Sequence, residues 1–147
     1  ASVSVDDNIF NTGSVKLNLN DGQPVITDSE YLFEPGMRVK KDFFLENQST
    51  CSVYYRLYFE DIQGDLANVL EITVTYGDTV LYSGKINDLS KDKVAAADDV
   101  LEIGDRRTLS LSFYYPPESG NEYKGKYLSF TLCADGVQTR NNPSKSF

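Results

Sequence analysis

The chain has no histidine and no tryptophan, a single methionine and two cysteines among 147 residues. Without histidine there is no Ser-His-Asp or Cys-His arrangement and no H-E-x-x-H zinc motif. A cysteine nucleophile would have no histidine to activate it. Basic residues are also few: 14 Lys plus Arg stand against 22 Asp plus Glu, a formal charge of −8. That balance disfavours nucleic acid and anionic lipid, both of which need a basic surface. No apolar run approaches the roughly 18–20 residues of a membrane span. Ala1-Ser2-Val3-Ser4-Val5 lacks the charged n-region and apolar h-region of a signal peptide.

What the chain does have is alternation. In Arg107-Thr-Leu-Ser-Leu-Ser-Phe113, Leu109, Leu111 and Phe113 point one way, and Thr108, Ser110 and Ser112 the other. Side chains of a strand alternate faces, so this is a half-buried strand. Tyr127 to Ala134 repeats the pattern, and so does Val53 to Phe59, with Tyr54, Arg56 and Tyr58 outward. Val15, Leu17 and Leu19 form a shorter version, and Val39 to Leu45 another. Ile72 to Tyr76, Gly77-Asp78 and Thr79 to Tyr82 read as a hairpin, because Gly-Asp tolerates the positive φ of a primed turn. Glu34-Pro35-Gly36 is a second turn, and Pro116-Pro117 ends the 107–115 strand. Helix is scarce: a turn capped by Asp65, and one or two turns within Asp88 to Ala97. The pattern predicts an all-β fold, an antiparallel β-sandwich of jelly-roll type with one or two short helical turns. Its divisions are an extended segment over 1–12, the sandwich domain over 13–138 and a mobile polar tail over 139–147.

Chemistry-bearing patterns are weak. Asp6-Asp7-Asn8 and Asp98-Asp99 are dense in acid but lack calcium-loop spacing, so solvated loops, no metal and no cofactor are expected. The many carboxylates guarantee chance pairs, which gives a glycosidase reading no specificity. Cys51 shares parity with inward Val53, and Cys133 with outward Thr131, which favours two free thiols over one bridge. Asn47-Gln48-Ser49 matches a glycosylation sequon, a tripeptide common by chance. Tyr54, Tyr58, Tyr82, Tyr114 and Tyr115 would make an exposed platform for stacking on sugar faces. The plainer reading is that tyrosine is a good strand former.

Four segments in order resemble the TasA/camelysin family. They are Asn8-Ile-Phe-Asn-Thr-Gly-Ser-Val-Lys-Leu17; Phe33-Glu-Pro-Gly through Asn47; Tyr54-Tyr-Arg-Leu with Gly64-Asp-Leu-Ala-Asn-Val-Leu70; and Asn121-Glu-Tyr-Lys-Gly125 with the 127–134 strand and Gln138. The likeness spans about residues 8 to 138. It implies a jelly-roll protein exported by Gram-positive bacteria, which builds extracellular biofilm fibres. In such fibres the N-terminal segment of one subunit completes a sheet of its neighbour. Camelysin has also been called a metalloprotease, but this chain offers no histidine ligand, and it is much shorter than TasA.

Physical chemistry allows the same segment to be a contact, beside the plainer reading of a disordered N-terminus or an ordinary first strand packed on its own domain. Val3, Val5, Ile9 and Phe10 alternate weakly before a Gly13 hinge, and an extended segment can add to a sheet edge. Burial of these side chains and the cost of ordering the segment nearly cancel, so docking is conditional on a complementary groove. The expectation is therefore a secreted, extracellular or cell-surface structural subunit, non-enzymatic, that partners copies of itself or related matrix subunits through Val3, Val5, Ile9 and Phe10. The alternative is a carbohydrate-binding module that takes a glycan on its tyrosines.

Overall fold

Alternating apolar residues form strands here because each strand can bury one face against a second sheet. The computed structural model describes residues 2–4, 16–25, 34–89, 95–96, 100–123 and 126–147. Among them the strands are β1 (Ser2–Ser4), β2 (Leu17–Leu19), β3 (Arg38–Asn47), β4 (Val53–Gln63), β5 (Glu71–Tyr76), β6 (Thr79–Lys85), β7 (Ala95–Ala96), β8 (Arg106–Tyr114) and β9 (Ser129–Gln138). All pairings are antiparallel. One sheet has the order β1-β9-β4-β7 and the other β2-β3-β8-β5-β6. With β2 set aside as an added edge strand, the first and last strands are neighbours and the connections cross repeatedly between sheets. This is the double Greek key of a jelly roll.

The inner faces follow the period-two pattern. Val53, Tyr55, Leu57 and Phe59 of β4 and Leu132 and Ala134 of β9 line one side. Phe43 and Leu45 of β3, Ile72 and Val74 of β5, and Leu109, Leu111 and Phe113 of β8 line the other. Phe130 joins the two layers. Its ring lies 5.1 Å from Phe59, edge to face, and 5.7 Å from Phe113. Such aromatic pairs add about 0.5–1.5 kcal/mol each beyond their area burial.

The turns are those the residues demand. Gly36 takes φ +90 between Pro35 and β3, and the Met37 amide donates to Glu34 O at 3.0 Å. The β5–β6 hairpin turns on Gly77-Asp78, with Gly77 at φ +57. β8 stops before Pro116-Pro117, and a 3-10 turn forms at Pro117–Ser119. Another 3-10 turn covers Asp65–Asn68, but Gly64 is its N-cap and no side chain caps it, so Asp65 is its first residue and not its cap.

Three expectations change. Ala95–Ala96 lies in a strand against Leu57 and Arg56, not in a helical turn. The free edge of β4 supplies backbone partners there, and that outweighs the helix preference of alanine. A 3-10 turn stands at Ile86–Asp88, and residues 90–94 of the expected stretch lie outside the described residues. The last strand does not stop at Ala134. It runs through Asp135-Gly136 to Gln138, paired with β4 as far as Val53. Finally, β4 continues past Phe59 through a register shift between Glu60 and Gln63. The segment 139–147 follows a hydrogen-bonded course. The Asn142 side-chain amide donates to Gln138 O at 3.2 Å and Ser146 O at 3.1 Å, and Asn142 Oδ1 accepts from the Ser146 amide at 2.8 Å.

Gly64 is the backbone crossing with the least room. It holds φ +101, and a Cβ there would stand 2.0 Å from Tyr127 O and 2.6 Å from Tyr127 C. Both atoms are backbone, so neither side can yield cheaply. Gly64→Ala is expected to cost at least about 2 kcal/mol of stability in urea unfolding. A loss within a few tenths of the wild-type value would show that the loop relaxes freely.

Candidate functional site at the first strand

The segment singled out for subunit contact begins in β1. Ser2, Val3 and Ser4 pair with Asp135, Ala134 and Cys133 of β9 in the same chain. Val3 thus occupies the edge of the β9 sheet. Val5, Ile9 and Phe10 lie outside the described residues, as do the rest of the 1–12 segment and the acidic spots Asp6-Asp7-Asn8 and Asp98-Asp99.

The outer face of this sheet is not the solvated face that alternation predicts. Thr131, Cys133 and Asp135 share the outward parity of β9, yet they are only 2%, 3% and 5% exposed. Their cover comes partly from β4. Arg56 stands directly across from Asp135, and Tyr58 directly across from Cys133. Directly opposed and diagonal cross-strand neighbours are close enough for their side chains to meet.

Asp135 is the centre of that cover. Its Oδ2 accepts from Arg56 Nε at 3.0 Å and Nη2 at 2.9 Å. Its Oδ1 accepts from Tyr58 OH at 3.0 Å and from Ser2 Oγ at 2.5 Å. One carboxylate therefore ties β1, β9 and β4 together. Burial by itself pushes the Asp135 carboxyl up. The hydrogen bonds from Ser2, Arg56 and Tyr58 and the Arg56 charge outweigh it, and the net direction is down. Tyr58 moves the other way, raised first by burial and then by the Asp135 charge, so it remains a protonated donor.

Arg56 has a second contact. Its guanidinium lies 4.5 Å from the ring centroid of Phe147, and Lys145 Nζ lies 5.3 Å from that of Tyr54. The 139–147 segment thus lies back over the same face. Cys133 is next to this cluster, and its thiol is pushed up to about 12. Burial is the main cause, followed by the charge and hydrogen bond of Glu60 and the charges of Asp135 and Asp61. Cys51 and Cys133 are both free thiols.

The tyrosines expected as one platform are not brought together. Tyr58 is 3% exposed and Tyr115 is fully buried. Tyr58 gives its hydroxyl to Asp135, and Tyr115 OH donates to Gly120 O at 3.3 Å. Tyr54, on β4, and Tyr82 and Tyr114, on β6 and β8, belong to different sheets. Tyr82 OH donates to Lys85 O, and Tyr114 carries Arg38 over its ring at 4.7 Å.

The sequon is likewise structural. Asn47 is fully buried. Its Nδ2 donates to Cys51 O at 2.9 Å and Leu101 O at 3.0 Å, and its Oδ1 accepts from the Ser49 amide at 2.9 Å. No glycan can reach that nitrogen in the folded chain.

Among the described residues no group of three or more His, Cys, Asp or Glu is placed to hold a metal ion, and no helix is long and apolar enough to cross a membrane. No protein-family model matches the chain, and no curated protein matches it. Sequence reasoning missed Ser2, Arg56 and Asp135 as a unit. Its one available signal was an arginine at an outward strand position, and no spacing rule links that to an aspartate 79 residues away.

Two outcomes follow. Asp135 is held low in the folded protein, so its contribution to stability is present above the ordinary carboxylate range and is lost as pH falls through its folded value. The stability gap between wild type and Asp135→Asn should shrink from neutral to acid pH in denaturant titrations. A gap that stays constant over that range would contradict the assignment. In thiol labelling at about pH 8, Cys51 should react first and Cys133 should remain protected until denaturant is added. Equal rates in native buffer would show that the cover over Cys133 is open.

Proposed function

We propose that this protein is a secreted, non-enzymatic structural subunit of an extracellular matrix or surface fibre. In this reading the N-terminal strand of one copy takes the β1 place beside β9 of the next. One observation carries the proposal: among the described residues β9, a ten-residue strand paired with β4 on one side, pairs on its other side with the three residues of β1. If β1 leaves, it uncovers backbone groups that another extended strand can satisfy. A copy of the same segment makes the same contacts in trans as in cis, which is the energetic logic of domain swapping. Concentration then decides between closed monomer and open polymer. The four ordered family-like segments support the same reading, and the secreted location rests on them. The net charge of −8 opposes indiscriminate association and leaves specific edge pairing as the route to assembly.

The carbohydrate-binding alternative is left with Tyr54, Tyr82 and Tyr114 on two different sheets, and no observation in the fold favours it.

The test compares the intact chain with one lacking residues 1–10, by light scattering and electron microscopy over days at high concentration. Filaments are expected from the intact chain alone. Truncated chains added to the intact protein should shorten them, because a copy without the strand accepts but cannot donate. If both proteins remain monomeric, the fibre reading fails. If both polymerise, the contact lies elsewhere on the surface.

A further inference from the structure

We infer that Asp135 is the specificity-determining residue of the β1 slot, which selects a strand carrying a hydroxyl side chain opposite it. For a strand supplied by a neighbour this rests on the fibre reading above; for the chain's own strand it does not.

The slot has one fixed wall and one replaceable one. Arg56 and Tyr58 come from β4, which pairs with the edge of β9 opposite to the one that β1 takes. Together they supply three of the four hydrogen bonds that Asp135 accepts among the described residues. The fourth among the described residues comes from Ser2 of β1. The Asp135 side chain is 8% exposed, so water has little room to stand in for that donor. A strand with an apolar residue at this position would leave Oδ1 one partner short beside a non-donor. Missing partners on buried charged groups cost more than matched bonds gain.

The same carboxylate also sets the phase of the strand. The sequence Ser2-Val3-Ser4-Val5 alternates hydroxyl and apolar residues. A slip by one residue would set Val3 opposite Asp135 and invert every side chain of the strand. A slip by two would set Ser4 opposite Asp135 and keep a hydroxyl there, since Ser4 now faces Cys133 two places along β9. Asp135 therefore rejects odd slips and tolerates an even one. An acidic, alanine or valine residue in the Ser2 place is excluded for charge, for lack of a donor, or for both.

The test uses the full chain at a concentration where light scattering shows monomer. Hydrogen exchange is followed by mass spectrometry across residues 129–138 in three proteins: wild type, Ser2→Thr, and the double variant Ser2→Ala with Ser4→Ala. The double variant closes the even-slip escape. Ser2→Thr is expected to exchange within about threefold of wild type. The double variant is expected to exchange at least about tenfold faster over Cys133–Asp135, the scale of a hydrogen bond to a charged group. Wild-type exchange in the double variant overturns the inference. So does Ser2→Thr exchanging as fast as the double variant, because the hydroxyl would then not be what is recognised. If the filament experiment fails while this contrast holds, the slot is selective but serves only the chain's own strand.

Discussion

The arrangement depends on one buried charge. Asp135 sits on the nominally solvated side of a sheet, yet it has almost no access to water. Removing a carboxylate from water costs several kcal/mol, and only close opposite charge and a full set of hydrogen bonds can offset it. Arg56, Tyr58 and Ser2 make up that set, and each is held by a different constraint. Arg56 is the cross-strand partner of Asp135 and is packed from outside by the Phe147 ring. Tyr58 is buried alongside, with burial and the neighbouring charge both keeping its proton in place. Ser2 arrives only when the first strand docks. Buried ion pairs are weak sources of stability and better sources of register. This one is placed where register matters most, at the junction of the first and last strands.

The edges of the two sheets are managed unequally. β6 borders the second sheet with a register shift near Thr75 and an exposed Val80, a bulged edge that a second strand would meet poorly. β7 closes the other edge of the first sheet with two residues against β4. β1 is also short, three residues, and behind it stands the edge of the ten-residue β9. The jelly-roll order puts the first strand against the last, so the element that closes the sheet is also the one nearest the start of the described chain. That placement lets one segment complete the fold and also, in the fibre reading, connect one copy to the next.

Much of the architecture was legible in the residues. Leu109-Ser-Leu-Ser-Phe113 could be little other than a half-buried strand, and Gly77-Asp78 between two β-rich runs could be little other than a hairpin. The site was much less legible. Asp135-Gly136 has the composition of a turn, and its place inside a ten-residue strand depends on Arg56 lying opposite. Asn47-Gln48-Ser49 has the composition of a modification site. Its role as a buried clamp on Cys51 and Leu101 depends on a loop more than 50 residues further along the chain. Tyr58 has outward parity, and it is the Asp135 cluster that buries it.

By itself the sequence determined the class of fold, the faces of most strands and the turns. These follow from contacts between residues a few positions apart: the two-residue period of a strand and the φ preferences of glycine and proline. Only the tertiary structure decided which outward residues lose their water. That outcome requires two distant strands to place Arg56 and Asp135 in register and a third to bring Ser2 against them. Burial on an outer face belongs to three segments at once, and no local pattern in any one of them encodes it.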